Sequence, residues 1–189
     1  RLLDPPLHEL LPHSEEDIAA MSESVGKPLS KIREITASLS EVNPMLGFRG
    51  CRLSVVYPEI TQMQVKAIIG AAIEATEAGY KPFPEIMIPL VVNVREIRLI
   101  SDLIEQVIHT MVRDKGVSIS YKIGTMMETP RACLSADRLA GEVEFMSFGT
   151  NDLTQMTYGF SRDDSAKFVP EYLDKKLIEN DPFVTLDQR

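Results

Sequence analysis

The chain has 189 residues, of which 44% are hydrophobic and 25% charged, and these proportions predict a soluble globular protein with one domain. Its formal net charge of −8, from 28 acidic and 20 basic residues, excludes the basic footprint of a nucleic-acid-binding protein. No apolar run approaches the roughly 20 residues of a membrane-spanning helix, so we expect no membrane insertion.

The first part of the chain predicts a short strand followed by a pair of helices. Residues 1–4 form a short apolar stretch that two prolines end. Ser14, with three acidic residues directly behind it, is typical of a helix start, and that helix ends at Gly26. Apolar residues at helical spacing predict a second helix over residues 30–42. A helical excursion therefore covers about residues 14–42.

The middle of the chain predicts a loop, a long helix and then a strand with its following helix. Residues 43–52 form a glycine-containing loop, and Pro58 opens the long helix. Residues 85–91 are an apolar run typical of a buried strand. Asn93 and Glu96 form a capping box, and apolar residues at helical spacing follow it.

The last part continues this alternation of strands and helices. Strands are predicted over residues 119–126 and 143–148, with a short helix after Thr129 between them. A helix follows residues 149–152, and a last one ends near Glu179. The alternation predicts right-handed parallel βαβ units. It does not separate a doubly wound sheet from a barrel, whose complete form needs about 250 residues.

Two acidic residues directly follow predicted strands. Glu128 closes the strand that contains residues 123–126, and Asp152 follows the strand that ends near Gly149. Ligands of parallel α/β proteins bind at the carboxyl ends of strands, where these two side chains would converge. Two carboxylates with room for water match the usual binding of Mg²⁺. The alternative is that both acids only stabilise helix N-termini.

A polar turn and two arginines complete the candidate site. Gly149 allows close backbone approach to a ligand, and Thr150 and Asn151 add donors at a helix start. The guanidinium groups of Arg1 and Arg49 would bind phosphate or carboxylate in a bidentate way. A plain capped helix and surface ion pairs remain the alternatives for these residues.

Other reactive residue types show no pattern typical of a site. The two cysteines, Cys51 and Cys133, lie far apart, which favours a reducing compartment and buried, inert thiols. The three histidines have no spacing typical of a metal triad. Residues 162–164 are interpreted as a solvated loop whose charges pair with one another.

Five motifs occur in a fixed order along almost the whole chain. They are RLLDPPLHE at 1–9, NPMLG at 43–47 with RGCR at 49–52, IGTM at 123–126 with Glu128, SFGTNDLTQ at 147–155 and GFSRDD at 159–164. Together they resemble the phosphoenolpyruvate-utilising enzyme family, and within it the pyruvate phosphate dikinases. The resemblance implies a partial (β/α)₈ barrel over residues 1–189 that binds phosphoenolpyruvate (PEP) and pyruvate.

The resemblance also implies a set of site residues. Glu128 and Asp152 match the two carboxylates that hold Mg²⁺ in the family. Arg1 and Arg49 match arginines that bind the phosphoryl group and the reacting oxygen of PEP. The implied substrate-binding residues are Arg1, Arg49, Glu128, Gly149, Thr150, Asn151 and Asp152.

The implied reaction is reversible phosphoryl transfer between a phosphohistidine on another domain and the enolate of pyruvate, which gives PEP. In the family, ATP and phosphate make that phosphohistidine elsewhere in the full-length enzyme. The family's Thr-x-His carrier motif is absent from these residues.

The family's acid is a cysteine in a Gly-x-Cys-Gly-Glu motif, and the resemblance places it beyond Arg189, the last residue of the sequence. Neither Cys51 nor Cys133 lies in that motif, so neither inherits the acid's role. The chain is therefore expected to contain no catalytic residue of that kind and to lack turnover by itself.

Several related functions remain open at this point. PEP synthase and the sugar-phosphotransferase enzyme I catalyse the same half-reaction, and a Mg²⁺-dependent pyruvate-enolate lyase would use the same residue types. A non-catalytic module that binds PEP or pyruvate is a further alternative. The resemblance implies a homodimer in the cytoplasm, or in a plastid or glycosome of a eukaryote. An unclosed barrel would expose strand edges, so self-association is expected.

Overall fold

The computed structural model of the chain describes residues 1–186. The predicted domain extends to Arg189, and its residues 187–189 lie outside the described residues.

Strands alternate with helices after a helical N-terminal part. The strands are β1 (Glu85–Ile88), β2 (Lys122–Met127) and β3 (Phe145–Phe148). The helices are α1 (Glu15–Val25), α2 (Leu29–Leu39), α3 (Cys51–Val56), α4 (Pro58–Glu77), α5 (Val94–Lys115), α6 (Pro130–Leu134), α7 (Ala136–Ala140), α8 (Thr150–Tyr158) and α9 (Val169–Asp174).

The three strands form one parallel sheet in the order β1-β2-β3. Glu85 lies opposite Lys122 at the start of the first pair, and Gly124 lies opposite Phe145 at the start of the second. Parallel neighbours need crossover connections, which α5 supplies between β1 and β2, and α6 with α7 between β2 and β3. Because the three strands run parallel, their carboxyl ends all lie at one edge of the sheet. The predicted α/β class with a parallel sheet is confirmed.

The N-terminal segment contacts the sheet without becoming a strand. The prediction of a strand over residues 1–4 was wrong, because this segment has no strand conformation. The backbone N–H of Leu2 donates to the carbonyl of Met87 in β1 at 2.9 Å. Pro5 and Pro6 follow directly and have no N–H to extend the pairing. The segment still ends beside the carboxyl end of β1.

Local signals place the starts of α1 and α5 and the end of α1 correctly. Ser14 and Asp17 form a capping box at the start of α1, and Gly26 ends that helix with a φ of 64°. Asn93 and Glu96 form the second capping box, at the start of α5. Both capping predictions are confirmed, because a cap depends on residues within one helical turn.

The predicted bounds of the strands and of the second helix, which ends at Leu39 instead of residue 42, differ from the structure by up to three residues. Two further segments differ more. Residues 43–52, predicted as a loop, contain a 3₁₀ turn over Pro44–Leu46 and the start of α3 at Cys51. The last predicted helix ends at Asp174 instead of near Glu179. Both segments are short, so their periodicity carries little information about their ends.

The hydrophobic core lies between the sheet and the two longest helices, α4 and α5. Its fully buried members include Val65 and Ile69 from α4, Ile97 and Ile104 from α5, and Ile86 from β1. Burial of each such side chain contributes roughly 1.5–3 kcal/mol to folding. The core thereby fixes the strands whose ends carry the polar residues. None of the helices within residues 1–186 combines the length and apolar character needed to cross a membrane.

Candidate functional site

Three buried carboxylates meet at the carboxyl edge of the sheet. Glu128 directly follows β2, Asp152 lies in the first turn of α8 after β3, and Asp4 ends the N-terminal segment. One carboxylate oxygen from each lies within 4.8 Å of the other two, and all three residues are buried. The structure therefore brings Glu128 and Asp152 together, as their strand-end positions suggested, and adds a third acid.

Asp4 is the site residue that the sequence analysis missed. It is 4% exposed, and its Oδ1 atom has no hydrogen-bond partner among the described residues. The available signal was its position, because Asp4 directly follows the apolar pair Leu2-Leu3 and precedes Pro5. Asp4 thus occupies the same kind of position as Glu128 and Asp152, at the end of a short apolar segment that reaches the carboxyl edge of the sheet.

Arg49 lies between two of the acids. Its Nη2 atom donates to Oδ2 of Asp4 at 2.5 Å, and its Nη1 atom donates to Oδ1 of Asp152 at 3.3 Å. Its Nε atom donates to the backbone carbonyl of Asp4 at 3.1 Å. Burial by itself lowers the pKa of Arg49, but hydrogen bonds and charges from Asp4 and Asp152 outweigh it and raise that pKa. Arg49 is therefore a fixed cation that holds both aspartates.

Glu128 is held by one oxygen only. Its Oε1 atom accepts a hydrogen bond of 2.6 Å from the backbone N–H of Leu90, while its buried Oε2 atom has no partner within the described residues. Burial raises the pKa of Glu128 to about 7. The Leu90 N–H and Arg49 lower that pKa, and the charges of Asp4 and Asp152 raise it. The unpartnered oxygen is suited to a cation or a proton.

Gly149 allows the turn after β3 to approach Glu128. A Cβ atom on Gly149 would lie 2.4 Å from Oε2 and 2.6 Å from Cβ of Glu128, which no side chain tolerates. It would also lie 2.9 Å from Sδ of Met126. The absence of a side chain at Gly149 therefore makes room for the Glu128 carboxylate.

Comparison with known proteins adds an independent observation. The sequence matches the family described as PEP-utilising enzyme, PEP-binding domain, over residues 1–183. The chain belongs to this family. It is 51% identical over its whole length to pyruvate, phosphate dikinase of Clostridium symbiosum, and covers 22% of that protein.

Relatives from other organisms show the same degree of similarity. The chain is 52% identical to the chloroplastic pyruvate, phosphate dikinase 1 of Oryza sativa subsp. japonica and 49% identical to the dikinase of Giardia intestinalis. Both alignments include all of this chain, and cover 20% and 21% of those proteins. The chain thus spans about a fifth of the length of the curated relatives it matches. The resemblance to the dikinases is confirmed.

Arg1 lies at the rim of the acidic cluster in this PEP-binding domain. Its side chain is 44% exposed, and its Nη1 atom lies 3.6 Å from Oδ2 of Asp4. The same atom lies 3.9 Å from Sδ of Met126. Arg1 therefore remains accessible to an anion that approaches from solvent, whereas Arg49 is enclosed.

Thr150 and Asn151 contribute to a neighbouring cleft of the PEP-binding domain. They line it together with Thr154, Arg162 and residues 182–186. Nη1 of Arg162 donates to Oδ1 of Asn151 at 2.8 Å. The interpretation of residues 162–164 as charges that pair with one another was wrong for Arg162, whose guanidinium bonds to Asn151. Asp164 pairs with Lys167 instead.

A larger cleft opens beside Asp152. Its volume is about 630 Å³, and its walls come from the loop at residues 43–46, from α8 and from residues 159–164. Clefts of this size accommodate small organic ligands. Asp152 is the residue that this cleft shares with the acidic cluster. A ligand in the cleft would therefore approach the carboxylates from the α8 side.

Proposed function

We propose that the chain is the PEP- and pyruvate-binding domain of a pyruvate phosphate dikinase. In this proposal a phosphoryl group passes reversibly between a phosphohistidine on another domain and the enolate oxygen of pyruvate. The observation that carries it is the convergence of Asp4, Glu128 and Asp152 around one point beside Arg49. The similarity to dikinases over the whole chain supports the same reaction.

The acidic cluster fits a magnesium ion. Its donors are carboxylate oxygens, which Mg²⁺ prefers, and two of them, Asp4 Oδ1 and Glu128 Oε2, are buried without a hydrogen-bond partner among the described residues. Asp4, Glu128 and Asp152 would hold the ion. When bound, Mg²⁺ supplies positive charge that stabilises the negative charge of an enolate and of a transferring phosphoryl group.

The arginines would bind the anionic substrate. Arg49 already holds Asp4 and Asp152 in place, and exchange of one of these contacts would leave its guanidinium to bind a substrate oxygen. Arg1, which is half-exposed at the rim, would bind the phosphoryl group as it arrives from solvent. Gly149 would leave room for Glu128 beside the substrate, and Thr150 and Asn151 would bind the far side of the substrate.

The chain's residues carry only part of the reaction. In the PEP-forming direction, the P–N bond of the phosphohistidine breaks and a P–O bond forms at the enolate oxygen. Formation of that enolate requires loss of a methyl proton from pyruvate, and Cys51 is unsuited to exchange it. Burial raises the pKa of Cys51 to about 12, and its thiol donates a hydrogen bond to the Leu90 carbonyl.

The remaining chemistry would belong to other parts of a longer protein. The cysteine that exchanges the methyl proton would lie beyond Arg189, and the histidine carrier and the ATP-dependent half-reaction would belong to other domains. We therefore propose that the chain alone lacks turnover.

The proposal extends to architecture and location. The three parallel strands would be part of a (β/α)₈ barrel that includes residues 1–189, with the helical excursion at about residues 14–42. A homodimer in the cytoplasm, or in a plastid or glycosome of a eukaryotic source, completes the proposal. The chloroplastic relative from Oryza sativa subsp. japonica supports the plastid alternative.

Metal and enolate-analogue binding tests the site directly. Titration of the purified chain with Mn²⁺, followed by electron paramagnetic resonance, should show one site, and oxalate should bind more tightly when Mn²⁺ is present. Asp152→Ala should weaken Mn²⁺ binding by tenfold or more, on the order of a lost ligand. Asp163→Ala, at an exposed aspartate, is the matched control. Equal Mn²⁺ affinity in both variants would contradict the proposed site.

A chimera tests the reaction. This chain would replace the matching segment of the Clostridium symbiosum dikinase, and PEP formation from pyruvate would be followed by phosphorus NMR. We expect turnover in the chimera and its loss after Asp152→Ala. Cleavage of a carbon–carbon bond without phosphoryl transfer would favour the lyase alternative, and binding of oxalate without any turnover would favour a non-catalytic module.

A further inference from the structure

Leu90 adopts a backbone conformation that leucine rarely takes. Its φ is 61°, and within residues 1–186 only Leu90 and Lys176 have a positive φ without being glycine. Leu90 is also fully buried, two residues after the end of β1, and the left-handed conformation is unfavourable for a residue with a side chain. A strained residue at the edge of a candidate site is held by its surroundings and indicates a functional constraint.

The conformation of Leu90 directs its backbone N–H at a carboxylate of the acidic cluster. The N–H donates to Oε1 of Glu128 at 2.6 Å, a charge-assisted hydrogen bond between the end of β1 and the end of β2. Because Oε1 is held in this way, Oε2 is the oxygen left without a partner among the described residues. The strain at Leu90 thus selects which oxygen of Glu128 remains available.

The turn before α3 holds Leu90 from the other side. The Sγ atom of Cys51 lies 3.1 Å from the carbonyl oxygen of Leu90, and the N–H of Cys51 donates to the carbonyl of Pro89 at 3.0 Å. A Cβ atom on Gly50 would lie 2.8 Å from Cβ of Leu90. The glycine therefore allows close contact, and Cys51 supplies both hydrogen-bond donors.

We infer that Cys51 is a positioning residue that orients Glu128 through Leu90. Its N–H holds the carbonyl of the Pro89-Leu90 peptide and its thiol holds the carbonyl of the following peptide, so together they fix the conformation from which the Leu90 N–H reaches Glu128. The adjacent Arg49 holds Asp4 and Asp152, so the segment Arg49–Cys51 organises all three carboxylates. The consequence for metal binding rests on the proposed function, whereas the orientation of Leu90 does not.

The thiol is suited to this role because it remains protonated. Burial raises the pKa of Cys51 to about 12, so the S–H donor persists at every physiological pH. Cys51 is 0% exposed, which also excludes it from reaction with solvent oxidants. A purely space-filling residue at this position would occupy the volume but would not bond to the Leu90 carbonyl.

The hydrogen bond from Leu90 to Glu128 has a spectroscopic signature. A short hydrogen bond from a backbone amide to a carboxylate shifts the amide proton downfield. The amide proton of Leu90 in the purified chain should therefore resonate downfield of ordinary strand amides. We expect Cys51→Ala to move this resonance upfield and Cys51→Ser, which retains a donor, to restore it. Cys51→Val, which fills the volume without a donor, serves if alanine leaves the chain unfolded. Cys133→Ala, at the other free thiol, is the control.

Metal affinity supplies the second measurement. Cys51→Ala and Cys51→Val should weaken Mn²⁺ binding roughly tenfold, as loss of a supporting hydrogen bond around a metal site does, and Cys51→Ser should bind nearly as the unaltered chain. An unchanged Leu90 resonance in both variants that lack the thiol overturns the role of Cys51. Failure of the unaltered chain to bind Mn²⁺, with the resonance still moving, overturns the proposed metal site and leaves the orientation of Leu90 supported.

Discussion

The charge state of Glu128 depends on an imbalance among a few buried residues. Asp4, Glu128 and Asp152 are three buried carboxylates, and Arg49 is the one buried guanidinium that contacts them in the described part of the chain. If all four ionise, this group carries more negative than positive charge, which is costly away from water. A proton on Glu128 or a divalent cation reduces that cost. At the proposed metal site, a cation and a proton would therefore compete for Glu128.

The raised pKa of Glu128 predicts that the stability of the chain depends on pH. In the folded chain the pKa of Glu128 is about 7, whereas the ordinary value is 4.5. Between these values the folded state binds more protons than the unfolded state, so rising pH destabilises the metal-free chain. Glu128→Gln removes the titrating group. As the pH rises through this window, the free energy of unfolding of Glu128→Gln should therefore increase relative to that of the unaltered chain by on the order of 3 kcal/mol.

Urea denaturation in the presence of a chelator measures this effect at about pH 4 and about pH 8, on either side of the titration. Glu59→Gln, at an exposed glutamate of α4, is the control and should show no such gain. A stability difference between Glu128→Gln and the unaltered chain that stays constant with pH would rule out the raised pKa.

Gly149 provides a second prediction at the scale of one residue. In Gly149→Ala the new methyl group would overlap Glu128 Oε2, so Glu128 must move away from the cluster. We expect Mn²⁺ affinity to fall about tenfold or more, while the chain remains folded. Gly70→Ala is the control, because its methyl group would meet only Met111 at an ordinary 3.9 Å. Tight Mn²⁺ binding by Gly149→Ala would show that Glu128 is not a ligand.

At the scale of elements, α5 begins after the carboxyl end of β1, near Leu90, and returns the chain to the start of β2. The helix begins with a reciprocal cap in which the Asn93 side chain accepts from the N–H of Arg95. Glu96 Oε2 accepts from the N–H groups of Val92 and Asn93 at 2.7 Å and 2.9 Å. This cap fixes the point where the chain leaves the sheet edge, so it supports the site from outside.

Removal of the cap predicts a moderate loss of stability. Asn93→Ala should lower the free energy of unfolding by about 1 kcal/mol, because the first N–H groups of α5 lose their acceptor. Asn93→Asp should retain the stability, since its carboxylate accepts the same bond and favours the helix dipole. Chemical denaturation compares the two variants. Equal stability of Asn93→Ala and the unaltered chain would mean that solvent replaces the cap without cost.

At the scale of the whole molecule, the sheet has an open side. Within residues 1–186, β3 pairs only with β2, and the Phe148 side chain at its end is 66% exposed. An unpaired strand edge beside an exposed aromatic ring is a template for pairing with another chain. The position of α8 after β3 leaves this edge accessible unless another part of a longer protein covers it.

The open edge predicts concentration-dependent self-association. Sedimentation velocity on the purified chain should show larger species as the concentration rises, and Phe148→Lys should shift the distribution towards monomer. Leu134→Lys is the matched control, because Leu134 is 89% exposed but lies on α6. A monomer at all concentrations, or an equal effect of both substitutions, would contradict association through β3.

The sequence by itself determined the parallel α/β class, the helix caps at Ser14 and Asn93, and the strand-end positions of Glu128 and Asp152. These features depend on residues that are neighbours along the chain, so periodicity, caps and strand ends report them. The same local rules failed where few residues are involved, as at residues 1–4, whose contact with β1 is a single backbone hydrogen bond from Leu2.

Only the tertiary structure decided the composition of the site. Arg49 meets Asp4 and Asp152 across 45 and 103 positions of sequence. The conformation of Leu90 depends on Cys51, 39 positions away, and no local pattern predicts a left-handed leucine. Such contacts follow from how the core brings β1, β2 and the N-terminal segment to one edge. Side-chain partners across that edge are fixed by packing in three dimensions, which local spacing does not encode.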